Sequence, residues 1–338
     1  MKSEARPFRA AIVGAGLMGR WHAHFAEKAG AIITAIVDSN LEIAHLLQRK
    51  FRAASVWPSL EQCFNRTQVD VVHLCTPTLS HFSLAKLALE NNAHVLVEKP
   101  ASGSTIEAEE LVVLARKRGL KIIPAHQFPF QNGFRELSRN KHLLGQPVRV
   151  SLDVYSAGGN GLSEAERKTR LLEITPHAVS LFIAVLGPEA AHCLRIMLPQ
   201  TPDRLMLEGV YQNAALHAFF SLRGRPTRNW LTYVGTAGTA HLDLYHGYCL
   251  WEAGKVSRRS KLLRPLRFGI NLLSAAGSNL VRRVVNADWA YPGLGQLITR
   301  FYQSMREGSA APISETELLE TVRLIDEARV EGTCESDR

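Results

Sequence analysis

The chain has 338 residues, with 40 lysines and arginines against 31 aspartates and glutamates, 46% hydrophobic and 21% charged. At about 150 residues per domain this length predicts two domains, and the ordinary apolar content excludes a disordered, collagen-like or coiled-coil chain. The sequence contains no run of about 18 uncharged apolar residues that would suggest a spanning helix. Five scattered cysteines with no Cys-x-x-Cys pair argue against a disulfide framework or a zinc site, so no metal is expected. They suit a reducing cytoplasm, the expected location. Met1–Pro7 is polar and runs straight into a strand-like segment, which leaves no room for a signal peptide.

In the first third, apolar runs at Phe8–Val13, Ala31–Val37, Val69–Cys75, His94–Val97 and Lys121–Pro124 alternate with helical spacing at Leu17–Ala29, Leu41–Phe51, Leu79–Asn91 and Thr105–Arg118. This alternation predicts right-handed crossovers and a doubly wound parallel sheet, an α/β Rossmann domain over residues 1–125. Beyond residue 145 the pattern becomes partly alternating, at 147–156, 191–200, 205–212, 215–223, 229–235 and 239–251. These segments predict a C-terminal α+β domain over 126–338, built on a large, mostly antiparallel open sheet. Helices are expected at 176–186, 294–306 and 315–330, the first ending at Gly187-Pro188.

Gly14-Ala15-Gly16-Leu17-Met18-Gly19 follows the first strand and opens the first helix. Gly14 allows the tight turn, Gly16 lets the backbone approach a diphosphate, and Gly19 lets helix and strand pack closely. The diphosphate then meets free N–H groups at the positive helix end, those of Leu17 and Met18 among them. Asp38 ends the second strand, where a carboxylate accepts the adenosine ribose hydroxyls and repels a 2′-phosphate. Ser39-Asn40 supply no arginine, so NAD is the expected cofactor and NADP the less favoured one.

Further motifs follow: Thr76-Pro77, His81, Ala85 and Ala88, then His94-Val95-Leu96-Val97-Glu98-Lys99-Pro100, then Glu173-Ile174-Thr175-Pro176-His177, then Gly235-Thr236-Ala237-Gly238-Thr239. On these the chain resembles the Gfo/Idh/MocA oxidoreductases, the family of glucose–fructose oxidoreductase and inositol 2-dehydrogenase. The resemblance implies hydride transfer between a nicotinamide and a secondary alcohol or ketone of a sugar or cyclitol. It also implies an open sheet that joins subunits of a homo-oligomer. Carried over by position, Lys99 matches the active-site lysine and His177 the acid/base histidine. Glu173 stands where the family has aspartate, and Thr76, Pro77, His81 and Glu98 lie on the cofactor side.

The chemistry supports these assignments independently. Ketone reduction builds negative charge on one oxygen, which an ammonium stabilises while a group titrating near neutrality moves the proton. Thr175 as N-cap and Pro176 at N1 would put His177 at a positive helix end that keeps its imidazole neutral. Glu173 would orient that ring. Each residue has a plainer reading: a solvated strand-end lysine, a buried histidine, a surface glutamate. His126 and Gln127 end the sixth strand and are candidate substrate contacts, with packing as the equal alternative. Ser180 replaces a family carboxylate and the Arg-Phe-x-x-Pro pattern is broken at 126–130, which leaves a non-catalytic dinucleotide-binding regulator or scaffold as the alternative function.

Residues 253–287 carry eight bases and no acid, and without them 32 bases face 31 acids. Leu262, Leu266, Ile270, Leu273, Leu280 and Val284 recur there at helical spacing, with Pro265 expected to break the first turns. This insert can meet a membrane surface, cover a subunit contact, hold an anionic or nucleotide-linked sugar, or remain a solvated basic face. The near-neutral remainder offers no extended surface for nucleic acid, which is not an expected partner.

Overall fold

The computed structural model describes residues 6–197, 201, 203–254, 257–285 and 290–334, and the chain divides into two compact units. The first unit comprises Met1–His126 and Leu294–Asp326, the second Gln127–Gly293 and Glu327–Arg338.

In the first unit, strands β1 (Arg9–Val13), β2 (Ile32–Val37), β3 (Ser55–Trp57), β4 (Val71–Leu74), β5 (His94–Val97) and β6 (Ile122–Pro124) form one parallel sheet. Its order is β3-β2-β1-β4-β5-β6, the doubly wound order whose direction reverses between β1 and β4. Four of the five residues of β1 and all four of β4 are buried, because helices cover both sheet faces and no strand has a solvent side to keep polar. Helices α1 (Leu17–Lys28), α2 (Leu41–Gln48), α3 (Leu60–Arg66), α4 (His81–Glu90) and α5 (Thr105–Lys117) make the crossovers. Strand β3 and helix α3 were not anticipated. Three and seven residues are too short for a periodic pattern, although Ser59, which accepts from Gln62 N, marks the α3 start.

Helices α10 (Leu294–Glu307) and α11 (Glu315–Cys334) follow the second unit in sequence. The division at 125/126 assigned them to the C-terminal domain, yet Leu294–Asp326 packs within the first unit. Gly295 lies against Phe25 of α1, where an added Cβ would come within 2.7 Å of the ring. Leu318 and Val322 of α11 join the core of β4, β5 and α5. Asp326 accepts from both the backbone N and the hydroxyl of Thr105 at 2.9 Å.

The second unit contains a seven-stranded sheet ordered β13-β12-β11-β7-β10-β9-β8. Its strands are β7 (Pro147–Tyr155), β8 (Arg195–Met197), β9 (Arg204–Tyr211), β10 (Ala214–Ser221), β11 (Arg228–Gly235), β12 (Gly238–Asp243) and β13 (Tyr248–Ala253). Only β7 and β10 pair in parallel. The strand expected over 191–200 is instead a 3₁₀ turn at Pro188–Cys193 and the short β8, and residues 198–200 lie outside the described residues. The segment 239–251 is two strands with a turn between them. Helix α6 (Asn132–Asn140) packs on β13, and α7 (Glu164–Ile174), α8 (Pro176–Leu186) and α9 (Arg258–Val285) complete the unit. Helix α7 was missed because it buries only Leu171 and Leu172, too few for an apolar stripe; its Ser163/Glu166 capping box was the available signal. Glu164–Leu186 is long and apolar enough by composition to cross a membrane, but 61% of its apolar window is buried inside the protein, as in a core helix.

Candidate dinucleotide site and catalytic residues

The switch point of the first sheet places the loops after β1 and β4 side by side. Gly14 leaves β1 at φ +92°, and a Cβ there would stand 2.6 Å from Cys75 O. At Gly19 a Cβ would stand 1.8 Å from Gly14 O, so the helix can pack on the loop only with glycine there. At Gly16 a Cβ would meet no atom within 4 Å. Open space therefore lies above a helix start that carries no side-chain cap and no acid in its first turn. Such a cradle fits a diphosphate, which would complete the orphan N–H groups of Leu17 and Met18.

Asp38 Oδ2 accepts from Ala15 N at 2.8 Å, and its Oδ1 accepts from Asn40 N at 2.9 Å. The carboxylate is thus set against the glycine loop. Capping of α2 falls to Asn40, whose side chain accepts from Glu42 N and Ile43 N. Each Asp38 oxygen retains a further lone pair for a ribose hydroxyl.

Thr76 and Pro77 form the loop after β4, where Ser80 donates to Thr76 Oγ1 at 2.8 Å. His81 was expected on the cofactor. It is instead 1% exposed, with Nδ1 2.7 Å from Pro100 O and Nε2 2.8 Å from Thr76 O. Both ring nitrogens are taken by backbone, so His81 braces the loops after β4 and β5 against each other.

Glu98 and Lys99 follow β5. Glu98 Oε1 lies 3.2 Å from His22 Nε2, His22 Nδ1 3.1 Å from His73 Nδ1, and His73 Nε2 2.9 Å from the Tyr302 hydroxyl. A carboxylate only accepts, so His22 donates to it through Nε2. His22 Nδ1 then accepts from His73, and His73 Nε2 accepts from Tyr302. Every member is satisfied by one direction of donation. Burial holds His73 well below the usual imidazole range, reinforced by His22, and holds the Tyr302 phenol protonated. Burial also pushes Glu98 up, but the hydrogen bond from His22, with Lys99 adjoining, outweighs it and leaves the carboxyl below its ordinary value. This chain was not foreseen, because its members come from four separate segments.

His126 was a candidate substrate contact. It is 1% exposed, with Nδ1 2.8 Å from Glu317 Oε1 of α11, so the packing alternative describes it. Gln127 begins the second unit and is half-buried.

In the second unit, Thr175 was expected to cap the helix of His177. It has helical backbone angles (φ −58°, ψ −35°), and its hydroxyl donates to Leu171 O at 2.9 Å. Helices α7 and α8 run on through it, so no free helix end lies beneath His177 and no helix dipole acts on its ring. The His177 ring packs on Phe128, with centroids 4.3 Å apart. Glu173 lies one turn earlier, half-buried on the last turn of α7. Gly235 ends β11 and Gly238 begins β12, so the Gly-Thr-x-Gly segment forms the connecting turn. Among the described residues, no three His, Cys, Asp or Glu side chains group as metal ligands.

The sheet order, the glycine loop and the placed Asp38 define a dinucleotide-binding Rossmann protein. Residues 8–126 match the model of the oxidoreductase family with an NAD-binding Rossmann fold, GFO_IDH_MocA. This N-terminal domain belongs to the Gfo/Idh/MocA oxidoreductase family. It is 31% identical over 159 residues to UDP-N-acetylglucosamine 3-dehydrogenase of Acidithiobacillus ferrooxidans, covering 43% of this chain and 49% of the relative. To D-glucoside 3-dehydrogenase of Escherichia coli it is 35% identical over 115 residues, a third of each chain (33% and 33%). The chain therefore matches less than half the length of either relative. The whole fold is shared with the WlbA dehydrogenase of Bordetella pertussis, solved with NADH and UDP-GlcNAcA: TM-score 0.71, 14% identity, 95% of each chain.

Proposed function

We propose that the protein is an NAD(H)-dependent dehydrogenase acting on a secondary alcohol or ketone of a sugar, with anionic, nucleotide-linked sugars the favoured class. The observation that carries this reading is the link from Glu98 through His22 to α1. It fastens the strand end bearing Lys99 to the helix that the glycine loop opens. Relatives named for UDP-N-acetylglucosamine, D-glucoside and scyllo-inositol oxidation support a polyhydroxylated substrate. A bound nicotinamide supplies or accepts the hydride. Lys99 stabilises the negative charge that develops on the substrate oxygen, and His177, steadied by Phe128, moves the proton. Asp38 selects NAD(H) by accepting ribose hydroxyls and repelling a phosphate.

The reading includes a cytoplasmic homo-oligomer joined through the C-terminal sheet. Met197, half exposed, pairs across β8 and β9 with Met206, which faces Phe219 on β10; this row is the apolar part of the outward face.

The test is turnover on a panel of sugars and nucleotide-linked sugars, followed by the absorbance of reduced nicotinamide. Lys99→Ala and His177→Ala should each lose about 10²–10⁴-fold in kcat, with NADH affinity retained. Wild-type rates in both variants overturn the assignment. NADH binding without turnover on any member favours the non-catalytic alternative.

A further inference from the structure

Pro265 does not break the basic segment. Helix α9 is continuous over 28 residues, Arg258–Val285, about 42 Å long at 1.5 Å per residue. It lies over the outward side of β12 and β13: Phe268 meets the His241 ring edge-on, Arg264 pairs with Glu252 at 2.6 Å, and Asn279 donates to His246 O. Phe268, Leu272, Ala275, Ala276 and Asn279 form the less exposed side toward the sheet.

The opposite side is apolar and uncovered. At about 100° per residue, Leu262, Leu266, Ile270, Leu273, Leu280 and Val284 fall within about 80° of arc. Leu262 is 81% exposed, Leu273 76% and Leu266 63%. On the same projection Arg267 lies about 60° beyond one edge of this stripe and Arg258 about 40° beyond the other, while Arg264 and Arg282 turn toward the sheet side. A groove of about 560 Å³ between α9 and the turn after β11 is lined by Lys261, Arg264, Arg267, Thr236 and Thr239. The described helix contains no acid.

We infer that α9 is an interfacial anchor that lays this stripe into the surface of an anionic lipid bilayer. An apolar stripe bordered on both edges by arginines is the pattern of a helix lying in the headgroup plane: the side chains enter the acyl boundary and the guanidiniums meet phosphates. Seven bases along one helix rule against its crossing the bilayer. The charge also selects the occupant. Pairing with the same helix of a second copy would set arginines against arginines, whereas an anionic surface neutralises them. The groove between the helix and the sheet offers Lys261 and Arg267 to phosphate headgroups, while Arg264 is held by Glu252. Pro265 is the eighth residue of the helix, where it removes the backbone bond to Lys261 O and crowds that carbonyl, and the helix continues through it. The inference does not depend on the proposed dehydrogenase activity, because binding is read without turnover.

The full chain is centrifuged with vesicles of phosphatidylcholine alone and with vesicles containing phosphatidylglycerol. The expected result is at least about tenfold more protein on the anionic vesicles at low salt, reduced by high salt. Leu266→Glu/Leu273→Glu should abolish binding, and Arg258→Glu/Arg267→Glu should remove the lipid preference. Since all four side chains are exposed, both variants should keep the wild-type melting temperature and NADH affinity, which shows that they are folded. Equal binding to both vesicle types overturns the inference. So does leucine-variant binding like wild type, or a leucine variant that changes only the oligomeric state in sedimentation velocity.

Discussion

The Tyr302 hydroxyl donates to His73 Nε2 at 2.9 Å across 229 residues of sequence. Tyr302 belongs to α10, which the chain reaches only after building the whole second unit, and His73 lies in the central strand β4. The bond heads the chain that runs through His22 to Glu98. Tyr302→Phe keeps the ring and removes the one donor that the described residues place at His73 Nε2, leaving a buried acceptor unsatisfied. The expected cost is about 1–3 kcal/mol, read as a lower denaturation midpoint with an unchanged slope. A variant as stable as wild type would show that the chain does not hold α10 in place.

Asp38 bears on cofactor choice. Asp38→Ala removes a carboxylate that touches Ala15 N and is positioned to accept ribose hydroxyls. Losing charge-assisted hydrogen bonds worth about 1.5–3 kcal/mol should weaken NADH binding by about 10–100-fold. NADPH, no longer repelled, should lose less or gain. Titration of both dinucleotides against intrinsic tryptophan fluorescence measures the ratio; parallel losses would mean that Asp38 only braces the loop.

Acid should destabilise the first unit in a definable window. Burial, with Lys121 nearby, brings His94 down to about 4, and His94 Nδ1 accepts from Lys121 N at 3.0 Å, a bond that only the neutral ring makes. His73 is lowered as well, by burial and then by His22. Both folded-state values lie below the unfolded value of about 6.5, so below that pH the unfolded chain binds protons the native one does not. Stability is therefore full above about pH 6.5 and declines as pH falls, by at most about 1.4 kcal/mol per pH unit for each histidine. The His94 contribution stops growing near pH 4. Melting temperature against pH should show this fall between pH 7 and 5, and His94→Gln should flatten it. An unchanged slope in that variant would assign the acid sensitivity elsewhere.

The parallel sheet and its loop were legible because both are local: a buried strand reads as an apolar run, and a diphosphate loop needs glycine at fixed spacing. Asp38 was legible for the same reason. The His22–His73–Tyr302 chain was not, since a histidine's partner depends on topology, and topology alone brings α10 back to β4. Thr175 misled because Thr-Pro is a valid helix start in isolation. Tertiary packing of Leu171 and Leu172 below it and Val179 and Phe182 above it favours one continuous rod. Pro265 misled in the same direction: it removes one backbone hydrogen bond, yet the helix runs on through it.

Gly16 and Gly19 separate two roles of the loop, access for the cofactor and packing of helix on strand. An alanine Cβ at Gly19 would stand 1.8 Å from Gly14 O, a backbone atom that cannot step aside without moving β1. Gly19→Ala should therefore damage the fold itself, lowering stability by several kcal/mol and cofactor binding with it. At Gly16 the same methyl meets no protein atom within 4 Å, and the backbone there is extended (φ −65°, ψ −161°), which alanine adopts without strain. Gly16→Ala should melt with the wild type, or slightly above it as the unfolded chain loses freedom. Yet its methyl occupies the space over the helix start that the diphosphate needs. NADH affinity should drop by about tenfold or more while circular dichroism and melting stay unchanged. If Gly16→Ala binds NADH as tightly as wild type, the open space above α1 is not the diphosphate cradle.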